Sequence, residues 1–122
     1  ASLVIGGGWF AWHLPLFLVG GSSQAGDPVV SYGVAVVALS VVFTWLYNET
    51  GGSVLLTMAL HASVNTGGIL YLAGGATAFQ TELPNTLYAV VFLIAALILV
   101  GLYGSERLTD GEVPTGAAGS RR

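Results

Sequence analysis

Residues 53–73, SVLLTMALHASVNTGGILYLA, form a long apolar run that contains no charged side chain. A run of this length crosses the hydrocarbon core of a bilayer as a helix, which satisfies every backbone N–H and C=O within the segment. His61 and Asn65 lie near its middle, four residues apart, so a helix places them on one face. Polar side chains at this depth usually face a bundle interior or a water-filled cavity. We therefore expect the chemistry of the protein at His61 and Asn65.

The other histidine of the chain, His13, also lies inside an apolar run, residues 3–19. Pro15 follows two residues later and cannot donate a backbone hydrogen bond to the carbonyl of Ala11. This predicts a kink or helix break beside His13, with a free carbonyl next to its imidazole. Two helices would then offer one histidine each to a shared buried pocket.

The composition indicates a membrane protein. Hydrophobic residues make up 54% of the chain and charged residues 7%, whereas a soluble domain has about 25% charged residues. The net charge is −3 and lysine is absent, so no basic patch exists for nucleic acid. The chain has no cysteine, which excludes thiol nucleophiles, disulfides and thiolate metal ligands. The lipid bilayer is therefore an expected partner, and nucleic acid is not.

Hydropathy predicts an all-α fold, a polytopic membrane bundle of about four transmembrane helices. The predicted helices cover residues 3–19, 29–47, 53–73 and 85–103. The short turn after the second helix makes it an antiparallel hairpin with the third. In this prediction residues 1–104 form one membrane domain, and the polar residues 105–122 form a disordered tail. Arg107, close to a membrane end, favours a cytoplasmic C-terminus.

His13 and His61 are candidate metal ligands, and zinc is a metal that paired imidazoles suggest. A catalytic zinc site takes three protein ligands, and Asn65 is a poor one. No carboxylate lies in the apolar part of a predicted helix. Glu49, in the turn, is roughly 18 Å from His61 along a helix that rises 1.5 Å per residue. A divalent metal such as zinc thus stays open as a cofactor, with His13 and His61 as two of its ligands.

Hydrolysis without a metal fits the residue types better. Neutral His61 and Asn65 each offer a hydrogen-bond donor, and together they can hold an oxyanion that develops on a carbonyl group. His13 can serve as a general base or orient one. A serine nucleophile is disfavoured, because Ser63 is two residues from His61 and faces another side of the helix. In a purely structural interpretation, each histidine only hydrogen-bonds a neighbouring helix, which is worth about 0.6 kcal/mol.

Two stretches of the chain resemble the signatures of a known family. Residues 9–15, WFAWHLP, resemble the second signature of the CPBP intramembrane proteases (CAAX protease and bacteriocin-processing, also called Abi), an aromatic residue four positions before a histidine. Residues 47–53, YNETGGS, followed by His61 and Asn65, resemble the turn and third signature of that family. Order, spacing and hydrophobic context agree over residues 8–67.

The resemblance implies an intramembrane endopeptidase, related to enzymes that trim prenylated CAAX proteins and acting on a membrane protein or lipidated peptide. It assigns water activation to His13 together with a glutamate, and oxyanion stabilisation to His61 and Asn65. Whether a metal takes part, as in a metalloprotease, is left open by the resemblance. The first signature of the family, Glu-Glu-x-x-x-Arg, is absent from this chain and belongs upstream of His13. We therefore expect a C-terminal fragment of a protease that is inactive by itself.

Two other functions stay open on the sequence. A non-catalytic family member would be a membrane immunity or scaffold protein, and the upstream sequence would distinguish it by lacking the glutamates. A small metal-binding membrane transporter would take up zinc stoichiometrically through His13 and His61. In every case the expected location is an integral membrane one. The low charge and the absence of lysine point to the cell (plasma) membrane of a prokaryote.

Overall fold

Four α-helices make up the described part of the chain. The computed structural model describes residues 1–22, 24–73 and 83–109, with side chains described except at 67–73 and 83–85. Helix α1 is Ser2–His13 and continues as a 3₁₀ helix, Leu14–Leu18. The other helices are α2, Val29–Glu49; α3, Val54–Ala73; and α4, Leu83–Tyr103. The predicted all-α bundle is confirmed, and the helix ends lie close to those predicted.

The helices differ in how far their apolar stretches reach. Among the described residues, Val29–Glu49 and Thr86–Tyr103 are long and apolar enough to cross a bilayer. The stretches Ser2–Leu18 and Val54–Thr66 are apolar but shorter, so membrane crossing by α1 and α3 stays a prediction. Many large apolar side chains point outward, and Trp12 and Leu18 are 81% and 89% exposed. An exterior of this kind suits contact with lipid or further helices better than contact with water.

Helix α2 lies at the centre of the bundle. Helix α1 runs antiparallel to it, since Ser2 meets Ser40 and Phe10 meets Gly33. Helix α4 runs parallel to α2, since Tyr103 and Trp45, both near the C-terminal ends of their helices, have ring centroids 6.1 Å apart. Helix α3 follows α2 through a turn in which Gly51 and Gly52 have positive φ angles, and it contacts α2 less extensively than α1 or α4 do.

The approach of α1 to α2 is close because two glycines permit it. A Cβ added at Gly6 would lie 2.9 Å from the Cα of Val37, a distance that real Cβ atoms do not show. The hydroxyl of Ser40, which is buried here, donates a shared hydrogen bond to the carbonyl oxygens of Ser2 (2.9 Å) and Val37 (2.7 Å). At Gly33, the ring of Phe10 occupies the space in front of the missing side chain. These contacts fix the register of α1 on α2.

The end of the described chain packs against α2. Residues 104–109, which we call the C-terminal strap, begin at Gly104, whose positive φ ends α4. Leu108 is buried in a cluster with Ala38, Val41 and Ala96. The side chain of Asn48 donates to the carbonyl oxygen of Arg107 at 2.6 Å.

The C-terminal strap includes the first residues of the predicted tail. The hydroxyl of Thr109 donates to the carboxylate of Glu49 at 2.8 Å, and both Leu108 and Thr109 are buried. Residues 105–107 are exposed, so packing in this stretch is confined to Leu108 and Thr109, and the disordered tail expected from residue 105 onward stays a prediction. The remainder of that predicted tail, residues 110–122, lies outside the described residues.

Candidate active site

Helix α1 ends at His13, as the position of Pro15 predicts. The prediction of a free carbonyl at Ala11 is wrong, because the chain tightens into a 3₁₀ helix and the N–H of Leu14 donates to the Ala11 oxygen. The carbonyl that reaches the imidazole is that of Trp9, one turn earlier. The Nδ1 atom of His13 lies 2.8 Å from the Trp9 oxygen.

This hydrogen bond determines the tautomer of His13. A carbonyl oxygen can only accept, so Nδ1 carries the proton and donates to it. In the neutral imidazole the lone pair is then on Nε2. A general base needs such a lone pair directed away from its own backbone. The side chain of His13 is half-buried.

His61 meets His13 through the indole ring of Trp9. The ring centroid of Trp9 lies 6.3 Å from that of His13 and 5.3 Å from that of His61. The ring of Phe43, on α2, lies 5.6 Å from His61 at an interplanar angle of 29° and 5.7 Å from Trp9. The structure thus brings the two histidines of the chain around one indole, although they come from α1 and α3.

Asn65 lies one helical turn beyond His61 on α3. Its side chain is exposed, whereas that of His61 is half-buried. Within the described residues, neither side chain makes a hydrogen bond, so their N–H groups are available to a ligand. The hydroxyl of Ser63 donates to the carbonyl of Ala59 at 2.8 Å, away from the imidazole of His61.

The described residues do not complete a metal site. No group of three His, Cys, Asp or Glu side chains comes together in this part of the chain. His13 and His61 supply two imidazoles, and Nδ1 of His13 is already engaged with the Trp9 carbonyl. Zinc sites in enzymes take three protein ligands, so this pair alone does not fit one.

Sequence reasoning did not identify Tyr32 and Phe43 as neighbours of the histidines. Tyr32 contacts His13 with a centroid separation of 5.7 Å, and Phe43 contacts His61. The two aromatic residues are eleven positions apart, which is close to three helical turns and places them on one face of α2. That spacing was the available signal. Trp9, four residues before His13, contacts both imidazoles.

An apolar groove of about 750 Å³ lies between α1, α2 and α4, apart from the histidines. Its lining includes Phe10, Val37 and Leu97 and neither histidine. At 3.6 residues per turn, Val37 and Phe43 are about 120° apart around α2, so their side chains leave the helix on different sides. The groove is therefore separate from the histidine site.

Comparison with known proteins places the site within a family. The family model described as type II CAAX prenyl endopeptidase Rce1-like matches residues 1–67, a stretch that contains His13, His61 and Asn65. CAAX prenyl protease 2 of Methanococcus maripaludis is 27% identical over 106 residues, covering 82% of this chain and 37% of that protein. The chain therefore spans little more than a third of the length of this curated relative. No solved structure matches the chain.

The family match covers more than half of the chain and agrees with the resemblance carried by residues 9–15 and 47–65. Proteins of this family are integral membrane proteases, which accounts for the apolar exterior of the bundle. The chain belongs to the Rce1-like family of type II CAAX prenyl endopeptidases.

Proposed function

We propose that the chain is part of an intramembrane endopeptidase that hydrolyses a peptide bond of a lipidated, CAAX-type substrate at or in the membrane. The observation that carries the proposal is the hydrogen bond from Nδ1 of His13 to the Trp9 carbonyl, which leaves the lone pair of the neutral imidazole on Nε2, while the indole of Trp9 contacts both His13 and His61. The CAAX prenyl proteases named in the family and in the archaeal relative support this substrate class. We place the protein in the plasma membrane of a prokaryote.

In the proposed reaction, Nε2 of His13 accepts a proton from a water molecule as the water oxygen attacks the scissile carbonyl carbon. A C–O bond forms, and negative charge develops on the former carbonyl oxygen. The N–H of neutral His61 and the amide of Asn65 donate hydrogen bonds to this oxyanion. The C–N bond then breaks, and His13 returns its proton to the leaving amine.

The proposed site needs a carboxylate that the described residues do not bring to it. Glu49 accepts a hydrogen bond from Thr109 in the C-terminal strap, at the turn end of α2. We propose that a glutamate of the first family signature, which these 122 residues do not contain, acts with His13 in the full-length protein. On this proposal the present chain is inactive alone, and activity must be measured in the full-length protein.

The proposal is tested with the full-length protein in liposomes and a prenylated CAAX peptide as substrate. His13→Ala, His61→Ala and Asn65→Ala should each lower kcat by about a hundredfold or more, the usual effect of removing one oxyanion donor or a base. Ser63→Ala is the matched control, since Ser63 is exposed on α3 between the two candidate residues and should leave kcat unchanged.

Two results would contradict the proposal. Cleavage that survives all three alanine substitutions, with thermal unfolding in detergent unchanged, would remove the residues from the active site. A wild-type protein that cleaves no CAAX-type peptide would favour the immunity or scaffold function.

A further inference from the structure

Tyr32 contacts His13 in addition to Trp9. The ring of Tyr32, close to the start of α2, has its centroid 5.7 Å from that of the imidazole, at an angle of 47°. Phe17, in the 3₁₀ helix, packs edge-on against Tyr32 with a centroid separation of 5.2 Å. The Tyr32 hydroxyl is hydrogen-bonded to the side chain of Gln24 in the loop before α2, and Asp27 lies nearby. Tyr32 is thus held by two other segments of the chain.

His13 needs such a contact because its own backbone restrains it little. It is the last residue of α1, and the helix geometry changes immediately after it. The Nδ1 hydrogen bond fixes one atom of the ring, but the torsion that tilts an imidazole is broad. A packed ring on a second helix limits that tilt, and with it the direction of Nε2.

We propose that Tyr32 is a positioning residue for His13. Its ring keeps the imidazole in the orientation in which Nδ1 donates to the Trp9 carbonyl and the lone pair of Nε2 points toward the reactant. Through the Tyr32 hydroxyl, the same contact links the orientation of the base to the loop that carries Gln24. This inference rests on the proposed function for its effect on rate, but its effect on the imidazole can be measured without activity.

The first measurement compares variants of the full-length protein in the peptidase assay. Tyr32→Ala should lower kcat by about tenfold to a hundredfold with KM nearly unchanged, because small misplacements of a reacting group have effects of this size. Tyr32→Phe keeps the ring and should stay within about threefold of wild type. Tyr88→Ala, which removes a tyrosine that packs with Phe92 on α4, is the matched control and should leave kcat unchanged.

The second measurement is ¹⁵N NMR of the histidine imidazoles, with the His13 signals assigned by their loss in His13→Ala. Wild type, Tyr32→Phe and Tyr88→Ala should show His13 as a single Nδ1-protonated tautomer, and Tyr32→Ala should show exchange between two tautomers. If the wild type cleaves nothing but Tyr32→Ala still shows exchange between two His13 tautomers, the proposed function is contradicted and the positioning role of Tyr32 is supported. Unchanged His13 signals in Tyr32→Ala would overturn the positioning role, whatever the activity.

Discussion

Replacing Gly6 by alanine should impair catalysis although Gly6 touches neither histidine. The added Cβ would lie 2.9 Å from the Cα of Val37 and 2.5 Å from the Oγ of Ser40. Carbon atoms in contact prefer about 3.5–4.0 Å, so α1 must move away from α2 by about 0.6–1 Å. Backbone atoms of α2 cannot give way as a flexible side chain would.

The displacement matters because Trp9 and His13 follow on the same helix. A shift of about 1 Å in a reacting group can lower the rate by up to about a hundredfold, and overpacking of this kind costs about 1–3 kcal/mol of stability. We expect Gly6→Ala to lower kcat for a CAAX-type peptide by about tenfold or more. Its thermal unfolding temperature in detergent should also fall.

The chain supplies its own controls in Gly7 and Gly8, the next two residues of α1. A Cβ at either position would have no atom within 4 Å among those described. Both alanine variants should keep the wild-type kcat, and both can gain stability from the better helix propensity of alanine. If Gly6→Ala behaves as Gly7→Ala does, the close crossing of α1 and α2 does not position the site and the reasoning fails.

Two further predictions concern single side chains. Leu108→Ala should lower the free energy of unfolding by about 2–5 kcal/mol, since the Leu108 side chain is only 4% exposed. Leu108→Gly should cost about 1 kcal/mol less than Leu108→Ala, because a backbone φ of +52° is favourable for glycine. Equal thermal unfolding temperatures of the two variants would contradict this prediction. Trp9→Leu should lower kcat, since the indole contacts both imidazoles. In the ¹⁵N spectrum His13 should stay Nδ1-protonated, because Nδ1 donates to the backbone carbonyl of residue 9, which the substitution keeps. Appearance of a second His13 tautomer would show that the indole ring, rather than the carbonyl, determines the tautomer.

The helices could be predicted from sequence because an apolar run in lipid has few alternatives. A backbone that cannot form hydrogen bonds with water must form them within its own segment, so the apolar run 53–73 predicts the helix α3. Histidines inside such runs can also be selected as candidate site residues, because polar side chains are rare within membrane-spanning segments and usually have a function there. These arguments need only one segment at a time.

Features that depend on two segments could not be read in the same way. Gly6, Gly7 and Gly8 are identical letters in the sequence, and only the position of Ser40 on α2 shows that Gly6 is the contact. Leu108 is a lone apolar residue among polar ones, so no periodicity predicts that it packs against α2. The Ala11 carbonyl was expected to be free because Pro15 has no N–H to donate to it, whereas the change to a 3₁₀ helix lets Leu14 donate to it.

The proposed base, His13, and the proposed oxyanion donors, His61 and Asn65, differ in how extensively the described residues pack around them. The base, His13, is fixed by a backbone hydrogen bond, by Tyr32, and by the seating of α1 on α2 at Gly6 and Gly33. The proposed oxyanion donors, His61 and Asn65, are on α3, which packs on α2 less extensively than α1 and α4 do. In the described part of the chain, α3 reaches the proposed base through the contact between His61 and Trp9. Preorganised donors stabilise a transition state only if they are held in place. In the proposed reaction we therefore expect substrate, lipid or the rest of the protein to influence the proposed donors His61 and Asn65 more than the proposed base His13.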